Sequence, residues 1–260
     1  MLLKLMIVNN LSSILFKVGF LEIKFYGIVY ALGFILTYYF LNKNRKKLGV
    51  TREQADNLII FSVLGLIVGA RLAYFLFHNP IILIEDPLEL FRIWHGGMSF
   101  FGGLAGSFIV AFFYLRSQNL KFFCFGDIVV IPATIALIFG RIANFVNNEL
   151  VGTVSNVPWC VVFPKFDNLC RHPYQLYASF SHLLLLIILI ITATTKRKKN
   201  LKNGVVFSTF FIFYGLFRLI TDFFREDPHY AYLTTSQYAS IILVIIGLCI
   251  LLKLKKKTKK

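Results

Sequence analysis

Gly140-Arg-Ile-Ala-Asn-Phe-Val-Asn-Asn-Glu-Leu-Val-Gly152 begins inside a hydrophobic run and ends in a polar one. A bilayer protein avoids such residues at depth. An arginine near the centre of a membrane helix costs at least about 2.5 kcal/mol. Here Arg141 is followed by Asn144, Asn147, Asn148 and Glu149. An anionic ligand is the simplest group that offsets the charge. Arg218, in Tyr-Gly-Leu-Phe-Arg-Leu-Ile-Thr-Asp, and Arg71, in Gly-Ala-Arg-Leu-Ala-Tyr, sit in similar apolar surroundings. The stretch is informative only if its flanks cross a membrane, so the rest of the chain decides the fold.

The 260 residues are 57% hydrophobic and only 15% charged, which is membrane-protein composition. A window of about 20 residues predicts seven spans, near 23–41, 56–77, 97–115, 126–144, 175–194, 204–222 and 237–253. The formal charge of +16 would suggest nucleic acid in a soluble protein. Most of it instead falls in alternate connectors: Lys43 to Arg52, Arg116 and Lys121, Lys196 to Lys202, and Lys253 to the end. The positive-inside rule makes that side cytoplasmic, so the charge marks orientation and no nucleic-acid partner is expected. The N-terminus is then outside and the C-terminus cytoplasmic, which requires an odd number of spans. The expectation is one all-α integral membrane domain over 1–260, with about seven transmembrane helices.

Residues 1–22 lack a small-residue cleavage site, and Asn9-Asn10 interrupts their apolar run. They are expected to lie at the interface rather than to act as a signal peptide. The connector 145–174 is long for a loop and predicts a small external subdomain. Cys160 and Cys170 both fall in it, and a disulfide between them is one hypothesis for an oxidising compartment.

Arg141 and Arg218 lie near the outward ends of their spans, at headgroup level. Each could merely snorkel to the interface or pair with an acid, and Asp222 stands four residues after Arg218 on the same helical face. Two arginines ending at one face favour anion binding, because guanidinium donates paired hydrogen bonds to phosphate and stays charged. Asn144 shares a face with Arg141. Helix capping would explain one or two polar residues there, but not five within nine positions. Gly96-Gly97 with Ser99 suggests a turn exposing backbone N–H groups near an anion. Gly102 and Gly106 suit close helix packing. Tyr26, at the outer end of the first span, is a belt aromatic that could also reach the cavity. No Cys/His cluster suggests a metal, and no cofactor is expected.

Together these segments resemble the prolipoprotein diacylglyceryl transferase family. The resemblance rests on Phe25-Tyr-Gly27, Gly69-Ala-Arg71, Gly96-Gly-Met-Ser-Phe100 with Gly102-Gly-Leu104, Gly140 to Gly152, Arg171-His-Pro173 with Gln175-Leu-Tyr177, and Tyr214-Gly215 with Phe217-Arg218 and Phe223-Phe-Arg225. It implies transfer of a diacylglyceryl group from phosphatidylglycerol to the lipobox cysteine thiol of a preprolipoprotein, in the plasma membrane near the outer leaflet. Glycerol phosphate would leave. On this reading Arg141 and Arg218 are catalytic and clamp the phosphate. Tyr26, Gly97, Ser99, Asn144, Asn147, Glu149 and Tyr214 bind substrate, and His95 and His172 are candidate proton acceptors. The chain departs from the family at Phe101, where His is usual, at Ala143 and Asn148, where Gly is usual, at Thr153, where Arg is usual, and at Ala178 and Asp222, where Glu is usual. Phe101 excludes a histidine base at that position and keeps open an alternative, a degenerate member that binds anionic lipid without transfer. A transporter would be favoured by inverted repeats, and none is visible.

Overall fold

The computed structural model describes residues 7–12, 14–18, 21–78, 80–92 and 96–256. His95 and much of the segment 1–22 lie outside the described residues, as does the side chain of Phe101. The chain is mostly helical. Its helices are α1 (Phe25–Leu48), α2 (Arg52–His78), α3 (Ile82–Glu85), α4 (Phe100–Ser117), α5 (Phe122–Asn147), α6 (Tyr174–Lys199), α7 (Val205–Thr221) and α8 (Thr235–Lys256). Six of these, α1, α2, α5, α6, α7 and α8, are long and apolar enough to cross a membrane. The remaining predicted span, 97–115, corresponds to α4, whose described apolar run is shorter, at Gly102–Ser117. Many large apolar side chains on these helices are exposed, among them Ile35, Val68, Phe113, Ile191 and Ile245. A soluble protein would bury such side chains, and lipid is the solvent they suit.

Local chemistry sets the helix ends. Thr51 and Gln54 form a reciprocal capping box before α2, with Thr51 Oγ1 accepting from the Gln54 N–H at 3.1 Å and Gln54 Oε1 from the Thr51 N–H at 3.0 Å. Ser99 caps α4 by accepting from the Gly102 N–H at 3.3 Å. Asn200 ends α6 in the left-handed region at φ 48°.

The chain divides into two compact units, residues 38–125 and residues 1–37 with 126–260. In the first, α2 and α4 pack backbone to backbone. A Cβ on Gly106 would stand 2.2 Å from the Gly65 carbonyl oxygen, and one on Gly102 2.4 Å from that of Gly69. These are the glycines expected to pack helices, and no larger residue fits. Arg71 also belongs here. It is buried, and its guanidinium donates to the carbonyls of Glu89, Leu90, Arg92, Gly96 and Gly97. The charge expected to seek an anion is instead spent on ordering the loop between α2 and α4.

In the second unit, α7 packs between α6 and α8 around Val130, Leu185, Leu189 and Val206. At the basic end of this unit, buried Asp127 accepts from Lys196 Nζ at 2.6 Å, the Gly204 N–H at 2.8 Å and the Phe207 N–H at 2.7 Å. Lys202 Nζ donates to the Leu254 carbonyl at 3.0 Å. One carboxylate thus ties the start of α5 to the end of α6 and the start of α7.

At the other end, the connector 145–174 folds into a small sheet. Strand β1 (Ile7–Val8) pairs in parallel with β4 (Val161–Val162), which pairs antiparallel with β5 (Cys170–Arg171). Cys160 and Cys170 are joined by a disulfide with Cα atoms 5.5 Å apart. Val151, Val161 and Phe163 form its core against Phe145. Two hairpins add to the sheet content, β2 (Ile14–Val18) with β3 (Leu21–Lys24) and β6 (His229–Tyr230) with β7 (Leu233–Thr234). Hydropathy could not reveal these strands, because most are two residues long and the β1–β4 pairing is non-local.

Candidate active site

The end of α5 carries Arg141, Asn144 and Asn147 on successive turns, so their side chains line one wall. Arg141 Nη1 donates to Asn144 Oδ1 at 3.3 Å. Asn144 Nδ2 donates to Tyr26 Oη, and the Tyr26 hydroxyl donates to Glu149 Oε2. Asn147 Nδ2 reaches Glu149 Oε1 at 3.3 Å, and Gln175 Nε2 holds the Glu149 carbonyl at 2.7 Å. A polar relay therefore runs from Arg141 through Asn144 and Tyr26 to Glu149. Four residues singled out in the sequence as substrate-binding are joined to Arg141 in one network. Asn148 adopts φ 61° just after the helix, which turns Glu149 back towards Tyr26.

Arg218, near the end of α7, makes a second relay. Its Nη1 donates to Tyr174 Oη at 2.7 Å, and its Nε lies 3.1 Å from Asp222 Oδ2. The Tyr174 hydroxyl donates to Asp222 Oδ1 at 2.7 Å, and Ser236 Oγ donates to Oδ2. Arg218 is thus held by Asp222, as its four-residue spacing suggested, yet remains part of the wall. The two relays meet at Tyr174. The Arg141 guanidinium lies 6.0 Å over the Tyr174 ring, and Arg225 approaches the same ring at 5.8 Å. Three guanidinium groups converge on one fully buried tyrosine.

The arginines differ in what their donors already hold. Arg71 is saturated by carbonyls, whereas Arg141 makes its one protein hydrogen bond, among the described residues, to the amide of Asn144. A guanidinium with most of its donors uncommitted has the paired N–H groups that an anion would take. Among the described residues no group of three His, Cys, Asp or Glu could hold a metal.

The other expected residues make different contacts. Gly97 and Ser99 belong to the unit of residues 38–125. There Gly97, at φ 73°, lies against the Tyr74 ring, and the Ser99 hydroxyl caps α4. His172 faces Tyr177 and Phe224. Its Nδ1 is 3.1 Å from the Tyr177 hydroxyl, which in turn accepts from Trp159 Nε1 at 2.6 Å. Burial lowers the His172 imidazole from its ordinary value. Tyr214 stacks on His182 with centroids 5.6 Å apart.

Arg171 staples the rim. It grips Asp167, with Nη2 at 2.5 Å from Oδ2, and its Nη1 reaches the Gly152 carbonyl and Glu226 Oε2, each at 3.0 Å. The Arg171 guanidinium holds the Asp167 carboxyl below the usual carboxylate range. Gly152 is required where it stands, because a Cβ would lie 2.3 Å from the His172 carbonyl oxygen.

Sequence reasoning missed Tyr174, Gln175, His182 and Arg225 as parts of the wall. Tyr174 resembles an ordinary belt aromatic at a helix start, and only three-dimensional convergence distinguishes it.

The model of the family described as prolipoprotein diacylglyceryl transferase matches residues 13–253. A phosphatidylglycerol–prolipoprotein diacylglyceryl transferase of Geobacter sulfurreducens is 37% identical over 219 residues, covering 84% of this chain and 83% of the relative. The proteins of the same name from Wolbachia pipientis and Rickettsia rickettsii are 35% and 34% identical over 94% and 92% of this chain, and 95% of each relative is covered.

Proposed function

The chain belongs to the prolipoprotein diacylglyceryl transferase family, and we propose that the Arg141–Arg218 wall is where its chemistry occurs. The protein is a multi-pass membrane transferase that moves the diacylglyceryl group of phosphatidylglycerol to prolipoproteins in lipoprotein maturation. The non-catalytic alternative is not favoured, since the relatives covering nearly all of this chain carry the transferase name.

The acceptor is the lipobox cysteine thiol. Its sulfur attacks the glycerol carbon that bears the phosphate, the S–C bond forms, and the C–O bond to phosphate breaks. The electron pair of that bond goes to the leaving glycerol phosphate, and the thiol proton balances the new charge. Arg141 and Arg218 bind the phosphate and stabilise the charge that grows on it. Their field also favours thiolate over a thiol whose ordinary pKa is about 8.5. Asn144 orients Arg141, Tyr174 and Asp222 orient Arg218, and Tyr26 and Glu149 position the headgroup. The observation that carries this reading is Arg141, half-buried with its guanidinium largely unspent.

We place seven spans in the plasma membrane, with α4 as the third, the N-terminus outside and the site near the outer leaflet. Eighteen residues of α4 span about 27 Å at 1.5 Å per residue, close to the ~30 Å hydrocarbon core. The Asp127 knot with its lysines stands at one end of α5 and Arg141 towards the other, as inside-positive, outside-active topology requires. The Cys160–Cys170 disulfide suits an oxidising exterior.

Full-length protein in phosphatidylglycerol liposomes, given a lipobox peptide, tests the function. A diacylglyceryl mass gain on the cysteine is expected. An unmodified peptide with phosphatidylglycerol and with other anionic glycerolipids would overturn the reading.

A further inference from the structure

We propose that His182 is a specificity-determining residue of this site, its Nδ1 accepting a hydrogen bond from a hydroxyl of the phospholipid headgroup. The inference rests on the reading of Arg141 and Arg218 as the phosphate clamp.

His182 lies on α6, two turns past Tyr174, and is only 3% exposed. A buried core histidine ordinarily has both ring nitrogens satisfied. Here Nδ1 is buried without a partner. The ring is clamped in place by stacking on Tyr214, one turn before Arg218, with an interplanar angle of 11°. The imidazole is therefore fixed among the elements that carry both arginines, since Ser179 Oγ, one turn earlier on α6, donates to the Ile138 carbonyl of α5 at 3.2 Å. Its free nitrogen is an acceptor lacking a donor. Leaving such a group empty is destabilising, so the occupied site supplies one.

The charge nearby selects the donor. An ammonium headgroup would bring a third cation beside two guanidinium groups and is repelled. A hydroxyl carries a proton to share and no charge. For the same reason the imidazole is suited to accepting a hydrogen bond rather than to taking a full proton from the thiol. Asn147 Oδ1 on α5 and Gln175 Oε1 on α6 are also buried and unpartnered. Guanidinium donors flanked by neutral acceptors fit a phosphate that carries a polyol, and phosphatidylglycerol has two hydroxyls beyond its phosphate.

The test uses full-length protein in liposomes with phosphatidylglycerol or phosphatidylethanol, both anionic phosphodiesters, the second lacking headgroup hydroxyls. Apparent affinity is read from transfer and, for phosphatidylethanol, from inhibition of transfer out of phosphatidylglycerol. Wild type is expected to favour phosphatidylglycerol by ~10-fold or more. His182→Leu should erase most of that preference through a raised KM for phosphatidylglycerol, with phosphatidylethanol affinity unchanged. His182→Asn, which returns an acceptor near the Nδ1 position, should restore much of it. Melting curves confirm that both variants fold. An unchanged preference in folded His182→Leu would overturn the inference. So would an equal kcat loss with both lipids together with loss of a pH-dependent limb, which would mark a base. If wild type transfers from neither lipid, the reading of the site itself fails instead.

Discussion

Arg71 and Arg141 are both arginines in apolar helices, and their nitrogens have opposite fates. Five backbone carbonyls saturate Arg71, while Arg141 touches one amide oxygen. Sequence patterning predicts that both sit at membrane depth, and it cannot distinguish them, because the carbonyls that absorb Arg71 come from loop residues 18 to 26 positions away. Tyr174 is similarly hidden. Among the described residues, its hydroxyl is the one link between Arg218 Nη1 and Asp222 Oδ1. Tyr174→Phe leaves that carboxylate oxygen and that guanidinium arm without partners while keeping the ring under Arg141. Transfer should fall by ~10-fold or more in kcat, with a loss of about 1–2 kcal/mol in stability, read from turnover and from denaturation in detergent. The core of the polar wall was legible in residues 141–149 because such residues are unwelcome in lipid. Arg225 and His182 were not, since the ring that each faces is brought from another helix.

The helices themselves follow from hydropathy, and their packing follows from where side chains are absent. Gly65, Gly69, Gly102 and Gly106 allow α2 and α4 to touch backbones, so Gly106→Val should abolish folded protein, as judged by recovery of a monodisperse peak in detergent. The basic end of the second unit depends on Asp127. Its carboxylate satisfies a lysine and two helix N–H groups at once. Removing one partner of a buried pair costs about 3–5 kcal/mol. Asp127→Ala should therefore lower the melting temperature strongly, although it is far along α5 from Arg141, and transfer per folded molecule should persist. The sequence predicted the long loop 145–174 as a subdomain but not the strand that Ile7–Val8 lends to it. Two-residue pairing leaves no periodic trace.

Over the whole molecule, acid should loosen the loop layer above the polar wall. Asp167 is held low by Arg171, so its folded pKa lies below its unfolded one. Its stabilisation is complete above about pH 4 and is lost as pH falls through the folded value. His172 is held low by burial. The unfolded chain then binds more protons, and stability should already decline as pH falls below about 6.5. Melting temperature should be flat from pH 7 to 8 and fall on acidification, with His172→Gln removing the earlier part of the fall.

The central proposal is that the unspent guanidinium of Arg141, near the end of α5, binds the phosphate and stabilises the charge of the leaving group. It is tested most directly by the transfer rate of Arg141→Gln per folded molecule, with phosphatidylglycerol and a lipobox peptide. A rate at least ~100-fold below wild type is expected, with an unchanged melting temperature, because Arg141 holds little of the protein together. A folded Arg141→Gln protein that transfers at the wild-type rate would contradict it.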